Sequence, residues 1–291
     1  MSTASLSIEE IVAKTSDLPT MPAAALAVMR EAESSTGTAS TVARHIAQDQ
    51  ALAARVLRLS NSAYYGLSGE VTDLQEAVIV LGMRSVRNLA MVAATYPWMS
   101  RPLKGYCLGP KEMWTHSFGV AIAAQHIARR SRITDPDIAF TAGLLHNLGK
   151  VALSIWLENK IPVLISIANQ EGITFDAVER KVLGYDHAEV GEFLGKRWNL
   201  PKPLLAAIRY HHSPNDCAPE NPVVDCVHIG DFLTMSMGFG LGGDGLRYDF
   251  DQEAWTRLGL DSRNMDPIAN DFVTAYQEYE KLFEEMNQAA A

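Results

Sequence analysis

Cysteine is scarce in this chain, and its placement argues against a disulfide-stabilised fold. The 291 residues include three cysteines, Cys107, Cys217 and Cys226, and none of them belongs to a CxxC pair. Three thiols cannot all pair with one another, so at least one stays free. Free thiols are typical of proteins in a reducing compartment. We therefore expect a cytoplasmic protein.

The chain also lacks an excess of basic residues, a secretory signal and a membrane-spanning run. Lys and Arg number 25 against 34 Asp and Glu, which gives a formal net charge of -9 and disfavours direct binding to nucleic-acid phosphates. The N-terminal MSTASLSIEE has no basic start and no apolar core. No stretch approaches the roughly 20 uninterrupted apolar residues that cross a bilayer, so we expect no membrane contact.

Apolar residues recur at helical spacing along almost the whole chain, which predicts an all-α fold. Start signals support this prediction. Ser7 with Glu10 three residues later forms a capping-box pattern, and Asp135 followed by Pro136 is a strong helix start. The helix that begins after Gly82 is predicted to end at Pro97.

The distribution of residue types predicts three segments. Residues 1–105 form a helical subdomain with no cluster of ligand-type side chains, and the Pro- and Gly-containing RPLKGYCLGP follows as a candidate linker. Residues 106–240 form a second helical subdomain, and residues 241–291 form a glycine-rich flexible joint and an acidic amphipathic helix.

In the first segment Arg84 and Arg87 lie three residues apart, which fits either a solvated stripe, the favoured interpretation, or a phosphate contact.

Histidine is concentrated in the middle of the chain. Six of the eight histidines lie between residues 116 and 212. Single histidines are more often structural than functional, but here several fall on separate predicted helices, together with an aspartate among apolar neighbours. These residues are His116, His146, His187, His211, His212 and Asp231. Imidazole and carboxylate groups from several helices can form a metal site in a bundle, and a set without cysteine suits Fe, Mn or Zn.

Several stretches together resemble one known family. AGLLHNLGK, DHAEVGEFLGKRWNLP and IRYHHSP in the middle of the chain are similar to the HD superfamily of metal-dependent phosphohydrolases. LPTMPAAALAVMRE, HIAQDQALAARVLRLSNSAYYG and LQEAVIVLGMRSVRNLAM in the first third are similar to its HDOD branch, the HD-related output domain of bacterial signalling proteins. The resemblance covers residues 18–233. It implies a multi-helix HDOD fold, in which an N-terminal helical subdomain packs on an HD-like bundle.

The resemblance also implies site residues. The HD metal ligands fall on His116, His146, Asn147 and Asp231, and the additional histidines of two-metal relatives fall near His187, His211 and His212. An HD enzyme has aspartate where this chain has Asn147, and a neutral amide cannot supply the same charge or bridge two cations as well. Lys150, Arg84 and Arg87 are the candidate phosphate contacts.

Two functions from different classes are consistent with these residues. The first, favoured by Asn147 and by the helical first third, is a non-catalytic signalling protein that acts through regulatory protein partners, with a metal or ligand in a degenerate HD pocket. The second is a metal-dependent phosphohydrolase acting on a nucleotide or cyclic dinucleotide, favoured by the retained histidines and Asp231. A third hypothesis is sensing of a nucleotide second messenger without hydrolysis.

Overall fold

The computed structural model describes residues 7–15, 18, 20–62, 65, 67, 69–240, 242–243 and 247–288, and within these residues the protein contains no strand. The predicted all-α class is therefore confirmed. The helices are α1 (Ile8–Lys14), α2 (Ala23–Glu33), α3 (Ala39–Ala47), α4 (Gln50–Ser60), α5 (Leu74–Leu81), α6 (Met83–Met99), α7 (Glu112–Ser131), α8 (Pro136–Leu145), α9 (Leu148–Leu157), α10 (Ile161–Glu171), α11 (Phe175–Leu183), α12 (His187–Arg197), α13 (Lys202–Tyr210), α14 (Pro222–Ser236), α15 (Gln252–Arg257) and α16 (Ser262–Gln288).

Side-chain caps begin many of these helices where the sequence predicts them. Ser7 accepts a hydrogen bond from the Glu10 amide, and Glu10 accepts one from the Ser7 amide, which completes the capping box. Asp135 caps α8 with Pro136 in the first helical position. These caps could be predicted because each depends on contacts within a few residues.

The predicted end of α6 at Pro97 is wrong, because the helix continues to Met99. Proline has no amide hydrogen, so the carbonyl one turn earlier, that of Ala93, loses its helical partner. The Arg55 side chain donates a hydrogen bond to this carbonyl, with Nη1 at 3.2 Å from the oxygen. A donor from another helix thus satisfies the group that proline leaves open, and the helix tolerates the proline.

The chain divides into two compact units. Unit 1 comprises residues 1–19 and 98–272, and unit 2 comprises residues 20–97 and 273–291. In unit 2, α2 packs against α3, and α3 packs against α4 and α5. Asn61, the residue after α4, contacts Val71: its side chain accepts a hydrogen bond from the Val71 amide and donates one to the Val71 carbonyl, both at 2.7 Å.

Unit 1 is organised around α7, which packs against α8 and α14. The segment predicted as a linker packs within this unit, and Tyr106 in it is fully buried. One stretch, Pro136–Leu157, is long and apolar enough to resemble a membrane span, but it forms α8 and α9, and 83% of its apolar window is buried inside the protein. Its hydrophobicity is therefore explained by the core.

Candidate metal centre

The predicted ligand residues occupy helix ends and buried helix faces of unit 1. His116 is on α7, His146 and Asn147 join α8 to α9, and His187 begins α12. His211 and His212 follow α13, and Asp231 is on α14. All of these side chains are buried except that of His212, which is partly exposed.

Glycines allow the helices around the His146–Asn147 junction to approach closely. A Cβ atom at Gly143 would lie 2.8 Å from the Cα atom of Ala121 on α7. A Cβ atom at Gly149 would lie 1.8 Å from the His187 carbonyl oxygen and 2.6 Å from the Gly191 amide nitrogen, both on α12. The GLLHNLGK motif thus brings α8 and α9 against two other ligand-bearing helices.

One group of ligand atoms is formed by His116, His146 and Asp231, whose ligand-type atoms all lie within 4.8 Å of one another. His116 Nε2 is 3.1 Å from Asp231 Oδ1, and His146 Nε2 is 3.9 Å from the same oxygen. Two imidazoles and one carboxylate are a common set of ligands for a divalent metal.

A second group is formed by His187, His211 and His212. His187 Nε2 lies 3.0 Å from His212 Nε2 and 3.4 Å from His211 Nε2. The ring centroids of His146 and His211 are 4.9 Å apart, so the two groups are in contact. The structure therefore brings six of the seven predicted ligand side chains into one cluster, with Asn147 next to His146 in the chain.

The hydrogen bonds at Nδ1 determine which ring nitrogen carries the proton. His146 Nδ1 is 2.6 Å from the Gly143 carbonyl oxygen, and His211 Nδ1 is 2.9 Å from that of Ile208. A carbonyl only accepts, so Nδ1 carries the hydrogen in both neutral rings and Nε2 keeps a lone pair. Nε2 is the atom that each of these rings directs into the cluster, as a metal ligand requires.

Three buried acceptors in the first group lack a hydrogen-bond partner among the described residues: His146 Nε2, Asn147 Oδ1 and Asp231 Oδ1. Asp231 Oδ1 lies 3.1 Å from His116 Nε2, within ion-pair distance. Unsatisfied buried acceptors are rare and costly, and a cation between His146 Nε2 and Asp231 Oδ1, which lie 3.9 Å apart, would satisfy both of these atoms. The donor set fits a divalent metal with nitrogen and oxygen ligands, namely Fe, Mn or Zn.

Burial keeps most of the imidazoles neutral. It lowers the pKa of His146 from 6.5 to about 3, against the opposing charge of Asp231. It also lowers the pKa of His211 and His212 well below 6.5, and the neighbouring histidines add to the effect. Burial alone would raise the pKa of Asp231, but its contacts with His116 and His146 hold it well below 3.8. His146, His211 and His212 therefore offer neutral rings, and Asp231 offers a carboxylate, at neutral pH.

His187 differs from these histidines because it contacts a buried carboxylate. Burial lowers its pKa, but the charge of Glu179 and the hydrogen bond to it more than offset burial, so the pKa is raised above 6.5. The Glu179 side chain is fully buried and lies 2.6 Å from His187 Nδ1. The sequence pattern does not distinguish Glu179, because in FDAVERKVL it resembles an ordinary charged residue of an amphipathic helix.

A cavity of about 220 Å³ adjoins both groups, and His116, His187, His212 and Asp231 contribute to its lining. Basic side chains also line it: Lys150, Arg180 and Arg247. The Lys150 amine lies 5.6 Å from the centre of the Tyr106 ring. Three carboxylates, Asp176, Asp231 and Asp249, line the cavity as well, so its wall carries both signs of charge.

Arg180 and Arg247 are also tied to the protein itself. Arg180 pairs with Asp176 and Asp186, and Arg247 donates a hydrogen bond to the Gly172 carbonyl. Lys150 is the most buried of the three basic groups, with 6% of its surface exposed.

Arg84 and Arg87, the two predicted phosphate contacts, do not line this cavity. Arg84 and Arg87 are on α6 in unit 2, whereas every residue that lines the cavity belongs to unit 1. Arg84 is exposed, but only 2% of the Arg87 surface is exposed, so the interpretation of both as a solvated stripe is wrong for Arg87. Arg87 lies on the face of α6 that also buries Val86 and Ala90.

A model of the HDOD domain matches residues 18–214 of the chain. The chain belongs to the HDOD family. This finding confirms the resemblance that the motifs indicated. An HDOD domain protein of unknown function from Geobacter sulfurreducens has a similar structure, with a TM-score of 0.69 and 26% identity over 97% of this chain and 94% of that one.

Two further solved structures share the fold at lower identity, and one sequence relative matches part of the chain. A protein from Marinobacter aquaeolei VT8, named as a candidate signal transduction protein, has a TM-score of 0.73 and 24% identity over 93% of this chain and 60% of that one. A candidate phosphohydrolase from Shewanella amazonensis SB2B has a TM-score of 0.68 and 24% identity over 94% and 96%. An uncharacterised Treponema pallidum (strain Nichols) protein is 29% identical over 228 residues, which span 77% of this chain but 42% of that protein.

Proposed function

We propose that this HDOD protein is a bacterial regulatory protein that holds a divalent metal in its His/Asp cluster and acts through contacts with partner proteins, without efficient hydrolysis of a phosphoester. One observation carries the proposal. Asn147 is buried with no hydrogen-bond partner for Oδ1 among the described residues, beside a ligand set that is otherwise retained.

In this proposal the number of anionic ligands determines whether the site only binds a metal or also supports hydrolysis. A divalent metal held by His116, His146 and Asp231 would meet one formal negative charge, because Asn147 contributes at most a neutral carbonyl oxygen. When bound, such a metal supplies Lewis-acid chemistry to a phosphoryl group or a water molecule. With aspartate at position 147 the site would have two anionic ligands. The amide therefore weakens metal binding and disfavours a bridged two-metal centre.

The residues of the cavity wall give the proposal a ligand class. Lys150, Arg180 and Arg247 would favour an anion where a bound metal offsets the carboxylates that also line the cavity, Asp176, Asp231 and Asp249. A volume of about 220 Å³ is below the usual 300–1,000 Å³ of sites for drug-sized ligands. We propose a small phosphate-bearing ligand or part of a nucleotide as the signal. Binding without turnover suits a regulatory role.

Phosphohydrolase activity is the second candidate, and the second imidazole group favours it. His187, His211 and His212 provide three further nitrogen ligands next to the first group. A second cation held there could compensate for the charge that Asn147 lacks. In the enzyme hypothesis a second metal at this group would support hydrolysis, whereas the regulatory hypothesis needs no second metal.

The two candidates differ in metal content and turnover. The protein is purified without chelator, its metals are measured by plasma mass spectrometry, and hydrolysis of bis-p-nitrophenyl phosphate and p-nitrophenyl phosphate is followed. We expect bound metal and no turnover above that of metal ions alone. Stoichiometric metal together with steady turnover by the unaltered chain would overturn the non-catalytic proposal.

The substitution Asn147→Asp tests the role of the amide directly. We expect metal affinity to rise at least about tenfold, which is roughly 1.4 kcal/mol of binding energy. Asn169→Asp, on the exposed side of α10, adds the same charge away from the cluster and serves as the matched control. Equal metal affinity in Asn147→Asp and the unaltered chain would show that position 147 does not contribute a ligand.

Partner and ligand are tested separately. Affinity purification from the native cell, followed by mass spectrometry, would identify bound proteins, and His146→Leu provides a bait with a disrupted site.

Thermal unfolding with cyclic dinucleotides and (p)ppGpp tests the nucleotide hypothesis, because a ligand that binds only the folded state raises the unfolding temperature. No stabilisation by any of these compounds would count against a nucleotide signal.

A further inference from the structure

Glu179 on α11 makes a set of hydrogen bonds centred on His187. The Tyr106 hydroxyl donates to Glu179 Oε1 at 2.6 Å. Glu179 Oε2 accepts from the His187 amide at 2.9 Å and lies 2.6 Å from His187 Nδ1. Both oxygens of a fully buried carboxylate are thus engaged, and one of them holds the backbone and the ring of the same histidine.

Capping of α12 does not explain this arrangement. Asp186 is the N-cap residue and accepts from the Glu189 amide at 2.8 Å. The helix start therefore has its own carboxylate, and burying a second one costs free energy. Glu179 adds a contact to the His187 amide and a contact to the imidazole ring, and capping does not require the second of these. Its geometry fixes the ring orientation and places a hydrogen on Nδ1, so Nε2 faces His211 and His212.

We propose that Glu179 is a positioning residue that presents Nε2 of His187 as a ligand, with Tyr106 holding the carboxylate in place. A carboxylate on the far nitrogen of a ligand histidine fixes the tautomer and increases ligand basicity. Tyr106 is itself held by a hydrogen bond between its carbonyl and the Gly243 amide at 2.8 Å. The expected effect of Glu179 on metal affinity rests on the proposed metal function. The expected tautomer of His187 does not.

The substitution Glu179→Gln tests the effect on affinity. Zn²⁺ binding to the full chain is measured by calorimetry and by competition with a chelator. We expect affinity to fall about 10- to 100-fold, the usual effect of losing such an outer partner. Asp225→Asn is the matched control, because Asp225 is also buried but pairs with Arg257, away from the cluster. Unchanged affinity in folded Glu179→Gln would overturn the proposal.

The tautomer is tested without metal by ¹⁵N NMR of the histidine rings in the unaltered chain at alkaline pH, where neutral rings dominate. We expect His187 to carry its hydrogen on Nδ1, and Glu179→Gln to add the Nε2–H form. A His187 ring that carries its hydrogen on Nε2 in the unaltered chain would overturn the proposal even if Glu179→Gln did not fold. Absence of Zn²⁺ binding would instead count against the proposed metal function.

Discussion

Buried histidines in this protein fall into two kinds according to the contacts of their second ring nitrogen. His228 is fully satisfied, because Nδ1 lies 2.7 Å from the His211 carbonyl oxygen and Nε2 accepts from the Asp251 amide at 3.0 Å. His146 uses only Nδ1, and its Nε2 has no hydrogen-bond partner among the described residues. The first kind stabilises the fold, and the second is available for a ligand.

Leucine substitutions should separate these two roles. His228→Leu leaves the Asp251 amide without this acceptor and removes the shorter of the two hydrogen bonds to the His211 carbonyl, the other coming from the Tyr248 hydroxyl. We expect a loss of about 1–3 kcal/mol in the free energy of unfolding and unchanged Zn²⁺ affinity. His146→Leu loses one hydrogen bond, and we expect a smaller loss of stability with at least tenfold weaker Zn²⁺ binding. Denaturant unfolding and calorimetry measure both effects. Equal Zn²⁺ affinity in the two variants would contradict the distinction.

The sequence predicted the histidines of the cluster but not their supporting residues. His146, His187 and His211 lie next to helix boundaries that local signals mark. Glu179 and Tyr106 meet across 73 residues of chain, and neither occurs in a pattern that distinguishes it from a surface charge or a core aromatic. Such contacts depend on how helices pack, which helical periodicity does not specify.

At the level of elements, the spacing between α9 and α12 depends on glycine. Gly149 lies against the backbone of His187 and Gly191, with no room for a side chain. The same contact places the His146–Asn147 junction next to the helix that begins with His187. The geometry of the His/Asp cluster and the packing of α9 against α12 are therefore coupled at one position.

Gly149→Ala should test this coupling. The added Cβ atom would lie 1.8 Å from a backbone oxygen, so α12 has to move. We expect a loss of about 1–3 kcal/mol in stability, as for other overpacked sites, together with weaker Zn²⁺ binding. Gly69→Ala is the control, because no atom lies within 4 Å of its Cβ position. A folded Gly149→Ala protein with unaltered stability would show that the helices accommodate the methyl group.

Helix starts were easier to predict than helix ends. The caps at Ser7 and Asp135 follow from residues close in sequence. The continuation of α6 through Pro97 depends on Arg55, a residue of another helix. A signal that ends a helix on local grounds was thus overridden by a hydrogen bond between helices.

At the scale of the whole molecule, the histidine cluster links stability to pH. The pKa of His146 is lowered from 6.5 to about 3, and those of His211 and His212 are also lowered, in each case mainly by burial. Below pH 6.5 the unfolded chain therefore binds protons that the folded chain does not, and stability falls as pH falls. His187 acts oppositely: its raised pKa contributes stability that is complete below pH 6.5 and is lost as pH rises through the raised value.

We therefore expect the metal-free protein to lose stability from pH 6.5 towards pH 4.5. The slope is about 1.4 kcal/mol per pH unit for each group whose two pKa values bracket the pH. Denaturant unfolding across this range measures the loss. His146→Leu should reduce the slope of stability against pH by about 1.4 kcal/mol per pH unit, the contribution of one titrating group. Stability that is constant over this range would contradict the buried neutral state of these rings.

The all-α class and the family could be inferred from the sequence, because helical periodicity and the HDOD-like motifs extend over most of the chain. The convergence of α7, α12 and α14 on one cluster could not be derived from periodicity alone. It was implied only by the resemblance. The division of α16 between the two units at residues 272 and 273 had no signal in the sequence.

The buried amide of Asn147 also has a genetic consequence. Codons for asparagine and aspartate differ only in their first base. One transition therefore converts Asn147 to the aspartate that HD enzymes have there, while His116, His146 and Asp231 need no change. A population of cells that depended on phosphoester hydrolysis could reach that variant in a single mutational step. Growth selection on a phosphoester as sole phosphorus source would therefore reveal whether the remaining architecture is still competent for catalysis.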